Sequence, residues 1–131
     1  FVILCYRYLG KNGLYMWITI ATIAQNIEVL ILVKAFGIEM TLGNILFAST
    51  FLVTDIVSEL YGKKESFKAV KIGIVTSVIF IAISASWLAY TPSANDFASG
   101  SIRTIFAYTP RLMLSSISVY EFGMHFNLLI C

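Results

Sequence analysis

Charge is what this sequence has least of: only 12% of its 131 residues are Asp, Glu, Lys or Arg. A soluble globular domain ordinarily carries about twice that share, because ionic groups must cover its water-facing surface. Nine basic residues against seven acidic ones give a net charge of +2, too small to argue for a nucleic-acid partner. No block of like charge forms a tail. A single histidine excludes a His-Glu-x-x-His zinc pattern. The two cysteines, Cys5 and Cys131, stand at opposite ends of the chain, so no disulfide framework or metal spacing is implied. There is no Gly-rich phosphate loop, and no Ser or Cys nucleophile has an identifiable base. Neither an enzyme nor a cofactor is expected.

What is abundant is apolar. Hydrophobic residues make up 59% of the chain and the mean hydropathy is +0.87. Lipid is then the expected solvent, and the expected fold class is all-α: a polytopic integral membrane helical bundle. A span needs about 20 residues, so the length allows about four full transmembrane helices. Residues 1–131 read as a single membrane domain. Phe1 to Cys5 is too short to span and has no basic flank before it, so it reads as the tail of an earlier, truncated helix rather than a signal peptide.

Four spans follow from the hydropathy pattern. Leu14 to Phe36 is the first, with Tyr15 and Trp17 as interfacial anchors and Thr19, Thr22 and Asn26 on one helical face. Glu28 lies on another face, near mid-depth. Gly37 to Gly43 is a turn in which Gly37 suits a helix C-cap. Asn44 to Tyr61 is the second span, stopped by Gly62. Lys63, Lys64, Lys68 and Lys71 mark the next connection as cytoplasmic, on the side of Arg7 and Lys11. Ile72 to Tyr90 is the third, with Gly73 and Ser77 spaced for close helix approach. Thr91 to Tyr108 reads as an external loop. Pro110 then opens a last span over Leu112 to Cys131.

The polar residues inside these spans are the candidate site. Asp55 and Glu59 are four apart and project from one face of a helix. Two ionised carboxylates there repel, so a proton, a cation or a ligand rich in N–H donors must neutralise them. Acids at that depth point to function by default. Glu59 also stands four residues before Lys63 in the order that favours a salt bridge, so an interfacial ion pair is the competing reading. Asn26 offers both donors and acceptors to a heterocycle edge, and equally well serves as glue between helices. Arg111 either snorkels to water or partners an acid or a substrate. Ser115 and Ser116 lie one turn further on, and Glu121 with His125 is too sparse a pair to hold a metal.

Several of these pieces recur together. The element Asp55-Ile56-Val57-Ser58-Glu59-Leu60-Tyr61-Gly62-Lys63-Lys64 closely resembles the signature of the queuosine precursor transporter family. Asn26, the run Thr41-Leu42-Gly43-Asn44-Ile45-Leu46-Phe47, and Pro110-Arg111 with Ser115-Ser116 match more weakly. The likeness extends from about Tyr15 to about Tyr120. Beyond it, Met124 and Asn127 stand where the family usually has Gln and Asp. The resemblance implies a bundle of about six helices, of which this chain is a fragment, in the bacterial inner membrane. It implies uptake of 7-cyano-7-deazaguanine or 7-aminomethyl-7-deazaguanine, with Asn26, Asp55, Glu59, Tyr61, Arg111 and Ser115 as substrate-binding residues. A carboxylate can accept the paired N–H donors of a guanine-like edge, Asn26 can serve its ring carbonyl, and Phe51 or Tyr61 can stack on its face.

The expected partners are a small deazapurine and the lipid bilayer, with no nucleic acid and with oligomerisation left open. Three other readings compete: a substrate-binding membrane subunit of an ATPase-driven vitamin transporter, a membrane-embedded enzyme using Asp55, Glu59 and His125, and a purely structural membrane subunit in which Asp55 and Asn26 are replaceable.

Overall fold

A computed structural model of the chain describes residues 1–35 and 37–107, together with Arg111, Ser115, Ser118, Phe122, Gly123 and Phe126. The remaining expectations for 108–131, Glu121, His125 and Asn127 among them, lie outside the described residues. The chain is mostly helical. Among the described residues, two helices are long and apolar enough to cross a membrane.

The first helix, α1 (Val2–Glu28), is broken at Gly10, whose φ of 58° and ψ of −137° are open to glycine and strained for other residues. The break folds residues 2–9 back along the rest of the helix. Phe1 consequently stacks on Trp17 at 6.1 Å, and Val2 packs on the cluster containing Leu14 and Ile18. The contact is tight: a Cβ on Gly13 would collide with the carbonyl of Cys5. The tail expected before the first span is therefore an antiparallel helical limb.

Residues 11–28 form the first long limb, about 27 Å of helix. It ends at Glu28, short of the expected Phe36. Val29 to Thr41 instead leads through an antiparallel hairpin, β1 (Leu32–Ala35) with β2 (Ile38–Thr41), in the register Leu32↔Thr41 and Lys34↔Glu39. Gly37, at φ 80°, serves the hairpin turn rather than a helix cap. The Lys34–Glu39 ion pair, 3.5 Å, closes the register across the two strands. Glu28 is consequently a helix-end residue, not a mid-span one.

The second span, α2 (Gly43–Tyr61), matches its expected bounds within one residue. Gly62, at φ 86°, reverses the chain in a single residue. The third, α3 (Lys63–Ala89), begins nine residues before the expected Ile72, because the lysine-rich connection is itself helical. Within the expected external loop, Asp96 accepts the backbone N–H groups of Ala98 and Ser99, at 2.8 and 3.2 Å, and starts a short helix α4 (Ser99–Phe106). Phe106 packs edge-on against Trp87 and Phe80.

α1, α2 and α3 pack on one another through small side chains. The inner face of α2 is Thr50, Val53, Thr54 and Val57; that of α3 includes Ser66, Ala69, Gly73 and Ser77. Lipid tails compete with apolar side chains in a bilayer, so close packing and hydrogen bonds between helices must supply the association. Such bonds include Trp17 Nε1 donating to Ser49 Oγ and Ser66 Oγ donating to the Thr54 carbonyl, both at 3.1 Å.

Candidate functional site

Where α1 ends and α2 begins, the two helices meet at Gly43. A Cβ there would lie 2.9 Å from the Gln25 carbonyl oxygen and 3.1 Å from the Val29 nitrogen, so only glycine permits this approach without a shift. Beside the crossing is a cavity of about 250 Å³ lined by Gln25, Asn26, Val29, Gly43, Asn44, Phe47 and Ser115. Drug-sized ligands occupy about 300–1,000 Å³, so this volume suits a smaller, flat molecule.

Among the described residues the lining is uncharged and rich in amides. Asn26 is buried, and its Nδ2 donates 2.7 Å to the Thr22 carbonyl one turn earlier. That bond anchors the amide on its own helix, and Oδ1 is an acceptor. Gln25 Oε1 is buried with no hydrogen-bond partner among the described residues. Thr22 Oγ1 is likewise buried without one, but Thr22 does not belong to the lining. Asn44 Oδ1 accepts from the Thr41 hydroxyl at 2.9 Å, so Asn44 has N–H donors to offer. Phe47, edge-on to Phe51 at 4.9 Å, supplies an aromatic wall. Ser115 reaches the cavity from the last segment, its hydroxyl donating to the Arg111 carbonyl at 3.4 Å.

Of the residues singled out in the sequence, the cavity brings together Asn26 and Ser115. Asp55 and Glu59 lie elsewhere, on the exposed face of α2, turned away from Val53, Thr54 and Val57. Asp55 is eleven residues beyond Asn44 on the same helix, about 16 Å along its axis. Among the described residues no ion pair joins Glu59 to Lys63. Tyr61 sits at the far end of α2, where Lys11 Nζ approaches its ring to 5.5 Å. Arg111 is exposed.

Lining residues that carried no role in the sequence reading include Gln25, Asn44 and Phe47. Gln25 stands three residues after Thr22 and beside Asn26, which widens the polar stripe of α1 and is the signal that would have found it. Glu65 was also missed. It accepts from Lys11 at 3.0 Å and from the Tyr15 hydroxyl, clasping α3 to α1 at the lysine-rich end. Among the described residues, no three His, Cys, Asp or Glu side chains are placed to hold a metal ion.

Comparison with known proteins bears on what such a bundle does. The chain is 35% identical over 122 residues to a protein of Bacillus subtilis (strain 168) named "Probable queuosine precursor transporter". The aligned part is 93% of this chain and 53% of the relative, so the chain spans about half the relative's length. No solved structure matches. The family model described as "Putative vitamin uptake transporter" matches residues 41–131, from the end of the hairpin onward and so over more than half of the chain. The chain belongs to that transporter family.

Proposed function

We propose that the protein takes up a queuosine precursor, 7-cyano-7-deazaguanine or 7-aminomethyl-7-deazaguanine, across the bacterial inner membrane as a multi-pass transporter. One observation carries this reading: the 35% identity, across 93% of the chain, to the Bacillus subtilis protein of that name. The α1–α2 cavity supports it chemically. Its described lining is uncharged, rich in amides and walled by Phe47, which suits a flat neutral heterocycle with several hydrogen-bonding groups.

In this reading Asn26 and Ser115 contact the substrate in the cavity at the hairpin end of the bundle. Asp55, Glu59 and Tyr61 line its later path along α2 towards the lysine-rich end, and Arg111, one turn before Ser115, donates to the substrate at the cavity end. Protonation of Asp55 couples to transport, since a carboxylate that receives the ligand must be desolvated.

The test is the queuosine content of tRNA in bacteria lacking their own precursor synthesis and transporter. Cells expressing the protein, with limiting 7-cyano-7-deazaguanine outside, are expected to regain queuosine. No recovery from a protein demonstrably inserted in the membrane would overturn the substrate assignment.

A further inference from the structure

Resting on the transport reading above, we propose that Gln25 reads the exocyclic amine of the substrate: its side-chain oxygen accepts an N–H from the amino edge of a guanine-like heterocycle held in the α1–α2 cavity. The assignment makes Gln25 a specificity-determining residue.

The argument starts from an unmet hydrogen bond. Gln25 Oε1 is buried without a partner among the described residues while its residue lines the cavity wall. Buried polar atoms nearly always find a partner, and an exception on a cavity wall points to a group supplied by what fills the cavity. An amide oxygen accepts only, so that group must be a donor. Its neighbours fix what kind. Asn26 is tied to the Thr22 carbonyl through its Nδ2, and its Oδ1 is a second acceptor. Asn44 has its oxygen engaged by Thr41, so it contributes donors.

Two acceptors and a donor complement an edge that presents two adjacent N–H donors and one carbonyl. That is the edge of a neutral 2-amino lactam such as guanine. A ring lacking the amine leaves Gln25 Oε1 buried and unpaired, and a site built around a hydrogen bond rejects the analogue that cannot make it. Among the described residues the lining holds no charged side chain, which suits a ligand that is neutral along this edge.

The experiment is competition. Uptake of labelled 7-cyano-7-deazaguanine by cells expressing the full-length protein is inhibited with the unlabelled compound or with its analogue lacking the 2-amino group. Wild type is expected to prefer the amine-bearing competitor by on the order of tenfold to a hundredfold. Gln25→Leu is expected to bring the two competitors within about threefold of each other, by weakening the first rather than strengthening the second. Gln25→Glu, which keeps the acceptor oxygen and the side-chain volume, is expected to retain the preference, and it decides the matter should Gln25→Leu fail to insert. A wild type that takes up the label without preferring the amine, a Gln25→Leu protein that keeps the preference, or a Gln25→Glu protein that loses it overturns the role of Gln25 and leaves the transport reading standing. Absence of uptake by an inserted wild type overturns the transport reading itself, and this assignment with it.

Discussion

Lys11 Nζ lies 3.0 Å from Glu65 Oε2, joining two helices whose sequence positions are 54 apart. The same carboxylate accepts the Tyr15 hydroxyl, and Lys68 approaches the Tyr15 ring to 5.7 Å. This clasp holds the start of α3 against the fold-back of α1. It also puts Lys11 at the same end as Lys63 to Lys71, as the charge asymmetry of the loops predicts. Both partners are partly exposed, so the pair is worth little by itself and is screened by salt. Glu65→Gln should lower the melting midpoint in detergent slightly, with the loss shrinking in high salt. The charge swap Lys11→Glu with Glu65→Lys should recover part of it. Purely additive midpoints across that double-mutant cycle would mean that the two residues are not coupled.

Gly43 is a stricter constraint, because backbone atoms confront it. Gly43→Ala puts a methyl 2.9 Å from the Gln25 carbonyl, so α2 must move off α1 by a few tenths of an ångström, and Gly43→Val forces more. Uptake should fall severalfold for Ala and at least tenfold for Val, as the cavity wall is displaced. Equal transport by wild type and Gly43→Val, at matched membrane levels, would show that the crossing does not shape the site.

Much of this bundle was legible in the sequence because period and punctuation agreed. α2 was bounded by its apolar run and Gly62, and the small residues Gly73 and Ser77 marked the packed face of α3. The misreadings came where two structures share one composition. Ile31 to Thr41 is as apolar as a helix end, yet Gly37 at positive φ and the Lys34–Glu39 pair close it as a hairpin. The lysines after Gly62 look like a loop by charge, though nothing in Lys63 to Lys71 breaks a helix. Asn26 stood out by its type and depth, with a binding role and a helix-packing role left open. The cavity around it was not, since Gly43, Asn44 and Phe47 reach it only through the crossing of α1 and α2.

Asp55 and Glu59 make separable predictions despite sharing a helix face. Asp55 lies a turn deeper, so Asp55→Asn should abolish uptake while membrane insertion is unchanged. Glu59→Gln, nearer the Gly62 end, should reduce uptake less than threefold, as expected of a carboxylate that can reach interfacial water. Vesicle uptake at two external pH values would then test coupling. If Asp55 carries the proton, wild-type uptake changes with an imposed pH gradient. If uptake by Asp55→Asn responds to the gradient as wild type does, the proton travels elsewhere.

Phe47 separates binding from turnover. Its ring is the aromatic surface on the cavity wall, and stacking a flat heterocycle on an aromatic side chain is worth about 1–3 kcal/mol by alanine substitution. Phe47→Ala should therefore raise the apparent KM for 7-cyano-7-deazaguanine by roughly 5- to 100-fold, with maximal rate little affected. Phe47→Tyr and Phe47→Trp, which keep a π-face, should stay near wild type. The competing explanation is structural, because Phe47 also meets Phe51 edge-on at 4.9 Å. Phe51→Ala removes that same contact from the other side while leaving the ring on the cavity wall. A high KM in Phe47→Ala but not in Phe51→Ala assigns the effect to the ligand. The same rise in both variants, with matching losses of thermal stability, assigns it to packing and takes Phe47 out of the site.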